Sequence, residues 1–152
     1  MLSWITELPS DKHIAGVHCV PVLPDGNIIM VWDREEQGLT TIGGRLEANE
    51  TLEAGLDREV MEEAGLVLAE ERIPFASWHW ESTDTYTVWF LAKVTTIEQM
   101  PERFEKTGCV IMNFETAVQM LMQLEGMGSG FRLFRGQGVW LGRIHGHHAI
   151  IY

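Results

Sequence analysis

The chain is short of cations. Lys and Arg number 11 against 22 Asp and Glu in 152 residues, for a formal net charge of −11. A surface that follows a nucleic-acid backbone needs clustered Lys and Arg, so the balance argues against a nucleic-acid polymer as partner. A small anion remains open, provided that cations screen its site. There are two cysteines, Cys19 and Cys109, far apart and without metal-type spacing. They read as reduced, partly buried thiols of a cytoplasmic protein. No stretch approaches the ~20 apolar residues of a transmembrane helix, so no membrane is expected. The opening MLSWITELPSDKH has neither a basic start nor a sustained apolar core and does not read as a signal peptide. Internal repeats and low-complexity segments are absent, and GMGSG from Gly126 lacks the spacing and the Lys-Ser/Thr of a P-loop. One absence is local. From Gly126 to Tyr152 no Asp or Glu occurs, while Arg132, Arg135, Arg143, His145, His147 and His148 do. That end could help to hold an anion, or dock on an acidic body.

What is present fits one domain over residues 1–152, long enough to bury a core without disulfide or metal staples. IAGVHCVPVL and NIIMVW read as two strands joined by the turn Pro24-Asp25-Gly26. A loop and a short strand lead into TIGGRLE. Leu52, Leu56, Val60 and Ala64 then recur every four residues, the stripe of an amphipathic helix. Asn49 is the expected cap at its start, and Gly65 its left-handed end. Two strands follow from Ile73 and Thr85, with Asp84 at their turn, then a charged loop, a strand at CVIMNF and a helix at TAVQMLMQLEG. Strands, a middle helix, more strands and a late helix indicate an α+β, layered sheet-and-helix fold.

The middle helix crowds carboxylates beside its apolar stripe. At 100° per residue Glu59, Glu62 and Glu63 fall within an arc of about 100°. Three converging carboxylates repel one another and drift toward protonation unless a cation sits among them. Hard oxygen donors at this density suit Mg²⁺ or Mn²⁺, which keep waters and bind substrate phosphates as well. Arg58 could pair with a neighbouring carboxylate and orient it. A solvated acidic face with Glu–Arg pairs is the plain alternative.

The spacing weighs against that alternative. Gly44, five residues, Glu50, seven residues, then Arg58-Glu59-Val60-Met61-Glu62-Glu63-Ala64-Gly65-Leu66 matches the Nudix box at every specified position. The chain therefore resembles a Nudix hydrolase, MutT-like and of unassigned substrate. The resemblance implies a mixed β-sheet sandwiched between helices (α/β/α), with a catalytic loop–helix–loop at residues 43–66. It implies that Glu59, Glu62 and Glu63 ligate Mg²⁺ or Mn²⁺, with the carbonyl of Gly43 or Gly44 adding another donor. Glu50, Arg58, Gly44 and Gly65 would be supporting residues. Ile42 stands where a proline commonly precedes the two glycines.

The implied reaction is hydrolysis of a nucleoside diphosphate linked to another group, by attack of water on phosphorus. A metal would neutralise the pyrophosphate and lower the pKa of a bound water; a glutamate would remove the proton. Glu62 is the candidate base inside the box and Glu63 its catalytic neighbour. Glu98, Glu102 and Glu105 lie in the later loop, and Glu105, just before the next strand, is preferred among them. Arg45 could reach a phosphate, as could Arg34, for which a surface ion pair is favoured. Trp78 and Trp80 flank His79 and should share one strand face, where a base could stack; core packing is expected of at least one of them. The marks of ADP-ribose, NADH and dinucleoside-polyphosphate members are not evident. A nucleoside triphosphate or modified nucleotide is then the default substrate. The expected partner is that small nucleotide alone, and a homodimer is compatible with the sequence. Isopentenyl diphosphate isomerase-like chemistry at Cys19 lacks support around that residue. A catalytically silent nucleotide-binding module is the main rival, and the intact box speaks for turnover.

Overall fold

Burial alternates with period two along the central strands. In β2 (Ile14–Val22), Val17 and Cys19 enter one core cluster, while Val20 and Val22 enter another. β3 (Ile28–Asp33) divides likewise, with Ile29 and Val31 against Ile28 and Met30. A sheet that is apolar on both faces needs cover on both. The computed structural model describes residues 1–100 and 106–125 and shows that cover. α1 (Leu52–Ala64) lays Leu56, Val60 and Ala64 on the first cluster. α2 (Phe114–Glu125) brings Ala117, Phe114 and Val118 to the second. Each fully buried Leu or Val contributes ~1.5–3 kcal/mol relative to exposure, as Leu56 and Val60 do on α1, while α2 adds buried Ala117 and partly buried Phe114 and Val118.

The remaining strands are β1 (Leu2–Trp4), β4 (Gly38–Thr40), β5 (Ile42–Arg45), β6 (Leu66–Trp80), β7 (Thr85–Ile97) and β8 (Lys106–Met112). They form one sheet in the order β1-β6-β7-β2-β3-β4, with β5 on β2 and β8 on β3. β2 and β7 are parallel and the other pairs antiparallel, so the sheet is mixed, as the resemblance implies. The β2–β3 turn closes through Leu23 N–H to Asn27 O at 2.8 Å and Gly26 N–H to Leu23 O at 2.9 Å.

Several boundaries differ from the sequence reading. The cap of α1 is Thr51, whose Oγ1 accepts from Ala54 N at 3.2 Å. Asn49 instead takes a left-handed φ of 65° in the loop before it, a conformation that Asn tolerates better than most residues. Gly65 ends the helix at φ 63°, as expected. β6 starts at Leu66 and not at Ile73, because buried Leu66 and Leu68 ladder with Ile97 and Val94, with one register shift between the two pairs. β8 stops at Met112. Phe114, expected in that strand, opens α2, and Asn113 Oδ1 accepts from Thr116 N at 2.8 Å at its start. Cys19 is buried; Cys109 is exposed as a residue, while its Sγ is part-buried, 3.9 Å from the Ala64 carbonyl.

Candidate active site

Gly43 and Gly44 end the path from β4 into β5, and α1 returns directly against them. The close approach is possible because neither residue has a side chain. A Cβ on Gly44 would stand 2.5 Å from Glu59 Oε1. One on Gly43, whose φ is 148°, would strike the Val17 carbonyl and lie 2.8 Å from His18 Cγ. Bare backbone is thus presented to α1, and Gly43 N–H donates to Glu63 Oε2 at 3.1 Å. Glu59 and Glu63 are both buried. Burial pushes the Glu59 carboxyl above its ordinary value, against the opposing pull of Arg58.

Arg58 is the hub. Its Nε and Nη2 donate to Glu50 Oε1 and Oε2 at 2.8 and 3.0 Å, a bidentate pair. Nη1 donates to Glu59 Oε1 at 2.9 Å and to Glu62 Oε2 at 3.3 Å, and Nη2 also reaches the Arg45 carbonyl at 3.1 Å. Glu50 further accepts from Glu47 N–H at 2.8 Å. These donors hold the Glu50 carboxyl at about 2, from an ordinary 4.5, with the Arg58 bond as the main cause. The guanidinium is itself pushed upward by the same partners, Glu50 first. One cation therefore ties the loop before α1, the end of β5 and the acidic face of the helix.

The sequence-derived set is brought together in part. Gly43, Gly44, Glu50, Arg58, Glu59, Glu62 and Glu63 are linked by the contacts above, and Gly65 caps the same helix. Among the described residues, no three acidic, imidazole or thiol side chains form a ready metal cage, since Arg58 draws Glu59 and Glu62 while the Gly43 amide holds Glu63. The donors still fit a hard divalent ion in kind: three carboxylates within two turns of one helix, with the backbone of a glycine pair beside them. Arg45 is exposed at the end of β5. Trp78 and Trp80 do share a face, at 5.7 Å between ring centroids, and neither packs into either core cluster. The expectation that one would be core is corrected: they lie near the edge strand β1, and Trp80 is held by its Nε1 donating to Thr87 Oγ1 at 2.9 Å. Glu102, Glu105 and the stretch from 126 lie outside the described residues. Glu98 is exposed, with its N–H on the Gly65 carbonyl at 2.7 Å.

The structure adds His18, Thr41 and Trp89, which no motif in the sequence marks. His18 Nδ1 is 3.0 Å from Thr41 Oγ1, Trp89 Nε1 donates to the same oxygen at 3.1 Å, and the two rings stack at 4.9 Å. The one available signal is a lone His inside the apolar run IAGVHCVPVL. Cys109 is a further neighbour of the site: burial and the Glu63 charge both push its thiol up.

Comparison with known proteins agrees with this fold. A mutant of the Bacillus subtilis pyrophosphohydrolase BsRppH superposes with a TM-score of 0.61 at 18% identity, over 73% of this chain and 70% of that one. A NUDIX hydrolase from Nitrosomonas europaea gives 0.60 at 15% identity over 91% and 94%. A C. elegans Ap4A hydrolase gives 0.56 at 18% over 79% and 95%. These likenesses establish the fold. No curated protein matches the sequence. The family model described as NUDIX domain matches residues 12–134. The chain belongs to the Nudix hydrolase family.

Proposed function

We propose that the protein is a divalent-cation-dependent pyrophosphohydrolase of a small nucleotide, a nucleoside triphosphate or modified nucleotide, acting by attack of water on phosphorus. The observation that carries the reading is the Arg58-centred array, which presents Glu59, Glu62 and Glu63 against the bare Gly43–Gly44 backbone. Two structural neighbours named a pyrophosphohydrolase and an Ap4A hydrolase accord with that chemical class.

Glu59, Glu62, Glu63 and the Gly43 carbonyl would hold Mg²⁺ or Mn²⁺. Such an ion supplies charge neutralisation of the pyrophosphate and a more acidic water. Arg58 and Glu50 set the direction of the carboxylates. Glu62 is the most accessible of the three, its side chain 35% exposed, and so is best placed to take a proton from water at the open side of α1. Glu105 is retained from the sequence as the alternative base. On the opposite sheet face, Arg45 pairs with Gly16, Gly16 with Thr87 and Thr87 with Trp78, one row across four strands. That row spans about 14 Å at the usual strand spacing. Arg45 and the two tryptophans thus stand at the ends of a row on the face away from the helix carboxylates, so contact with them would be made by the part of the substrate remote from the reacting phosphorus.

The test is release of phosphate and pyrophosphate from a panel of nucleotides and nucleoside diphosphate derivatives with Mg²⁺, Mn²⁺ or EDTA. Metal-dependent turnover of one class is expected, lowered by about 10²–10⁴-fold in Glu62→Gln and Glu63→Gln, whose folds should be intact. Nucleotide binding without turnover across the panel would instead identify a silent binding module.

A further inference from the structure

The β-register that orders the sheet also builds a support beneath the glycine pair. Gly43 is paired with His18 of β2, and His18 with Trp89 of β7, so all three share the face opposite α1. The His18 ring lies where a Gly43 side chain would be, 2.8 Å from that Cβ position. Behind it the ring stacks on Trp89 at 4.9 Å and 22°. Thr41 closes the group. An indole N–H can only donate, so Thr41 Oγ1 accepts from Trp89 Nε1, and its own hydrogen is available to His18 Nδ1. Thr41 is 7% exposed, so this shared hydroxyl exchanges little with water and fixes the imidazole plane. Gly43 therefore has a neighbour on each side: the imidazole lies 2.8 Å from where its Cβ would stand, and Glu63 accepts from its N–H at 3.1 Å.

We propose that His18, Thr41 and Trp89 form a positioning device that sets the Gly43 peptide and, through it, the direction of Glu63. The proposal rests on the metal-site reading above. None of the three is a catalytic residue, because each acts through Gly43. Without the imidazole, Gly43 keeps its β2 backbone neighbours but loses the ring that lies against it on that face, at a φ of 148° that only glycine adopts freely. Glu63 would then keep its place on the helix but lose a fixed hydrogen-bond donor. Groups that orient ligands in this way typically change metal affinity by about 10–100-fold when removed.

The experiment is Mn²⁺ binding to the full chain without nucleotide, read by electron paramagnetic resonance, beside the melting temperature of each variant. Glu63→Gln reports the metal site itself. His18→Ala and Thr41→Val, the latter keeping the shape but losing the hydroxyl, are expected to weaken Mn²⁺ about tenfold. Thr41→Ser, which restores the hydroxyl, is expected to bind within about twofold of wild type. Leu91→Ala, from the buried cluster on the same face, controls for loss of stability alone. If Glu63→Gln loses Mn²⁺ while His18→Ala and Thr41→Val bind as wild type and only melt earlier, the trio is ordinary packing and the proposal falls, with the site reading intact. If Glu63→Gln binds Mn²⁺ like wild type, the site reading fails and this inference goes with it. Should His18→Ala not fold, the Thr41 pair decides.

Discussion

Gly44 lies so close to Glu59 that a single added Cβ would stand 2.5 Å from its Oε1. No real Cβ sits at that distance, so Gly44→Ala must displace either the carboxylate or the turn. Glu59 is buried and tied to Arg58 at 2.9 Å, which leaves it little room to yield. Turnover in Gly44→Ala is expected to fall by about 10–100-fold, with a melting temperature at or below wild type. Steady-state rates beside a thermal melt check this, and unchanged turnover would show that the contact is slack.

Arg58 makes contacts that a lysine cannot reproduce. Its planar fork spans Glu50, Glu59 and the Arg45 carbonyl at once, whereas an ammonium is a compact point charge. Arg58→Lys should retain the charge, lose the bidentate pair, and lower kcat by about 10–100-fold. Full activity in Arg58→Lys would mean that only the charge matters.

Glu50 couples this network to pH. Its folded-state carboxyl is depressed from 4.5 to about 2 by Arg58 and by Glu47 N–H. A depressed pKa contributes stability that is complete above the ordinary value and is lost as pH falls through the folded one. Glu50→Gln removes that contribution. The melting-temperature gap between wild type and Glu50→Gln should be constant above about pH 5.5 and shrink between roughly pH 4.5 and 2. A gap that does not depend on pH would show that the loss in the variant is steric.

The start of α1 offers a direct check on its cap. Thr51→Ala should cost about 1 kcal/mol, the usual worth of a side-chain N-cap. Asn49→Gly, at a φ of 65° that glycine adopts freely, should be close to neutral. Chemical denaturation of both variants separates the two positions; a larger loss at Asn49 would return the capping role to it.

How much of this is legible in the chain depends on the range of the interaction. The helix from Leu52 and its end at Gly65 follow from a four-residue apolar repeat and a glycine, both local patterns. The Thr51 cap is not, because Asn49 and Thr51 are both good caps, and only the path of the preceding loop chooses between them. Trp78 and Trp80 share a face by strand alternation alone. That neither is core depends on β1 lying at the sheet edge, a pairing of three residues too short to read.

The sequence by itself determined the chemistry on offer: an acid-rich helix, a glycine pair at fixed spacing from it, and Arg58 within the same run. Spacing along one helix is rigid at about 1.5 Å per residue, so Glu59, Glu62 and Glu63 had to lie near one another. Only the tertiary structure decided what stands behind the glycines. His18, Thr41 and Trp89 come from β2, the approach to β5, and β7, up to 71 positions apart in the chain. They meet because parallel pairing of β2 with β7 and antiparallel pairing of β2 with β5 bring these strands side by side in one register. A register is a property of three strands together, and no single stretch of sequence contains it.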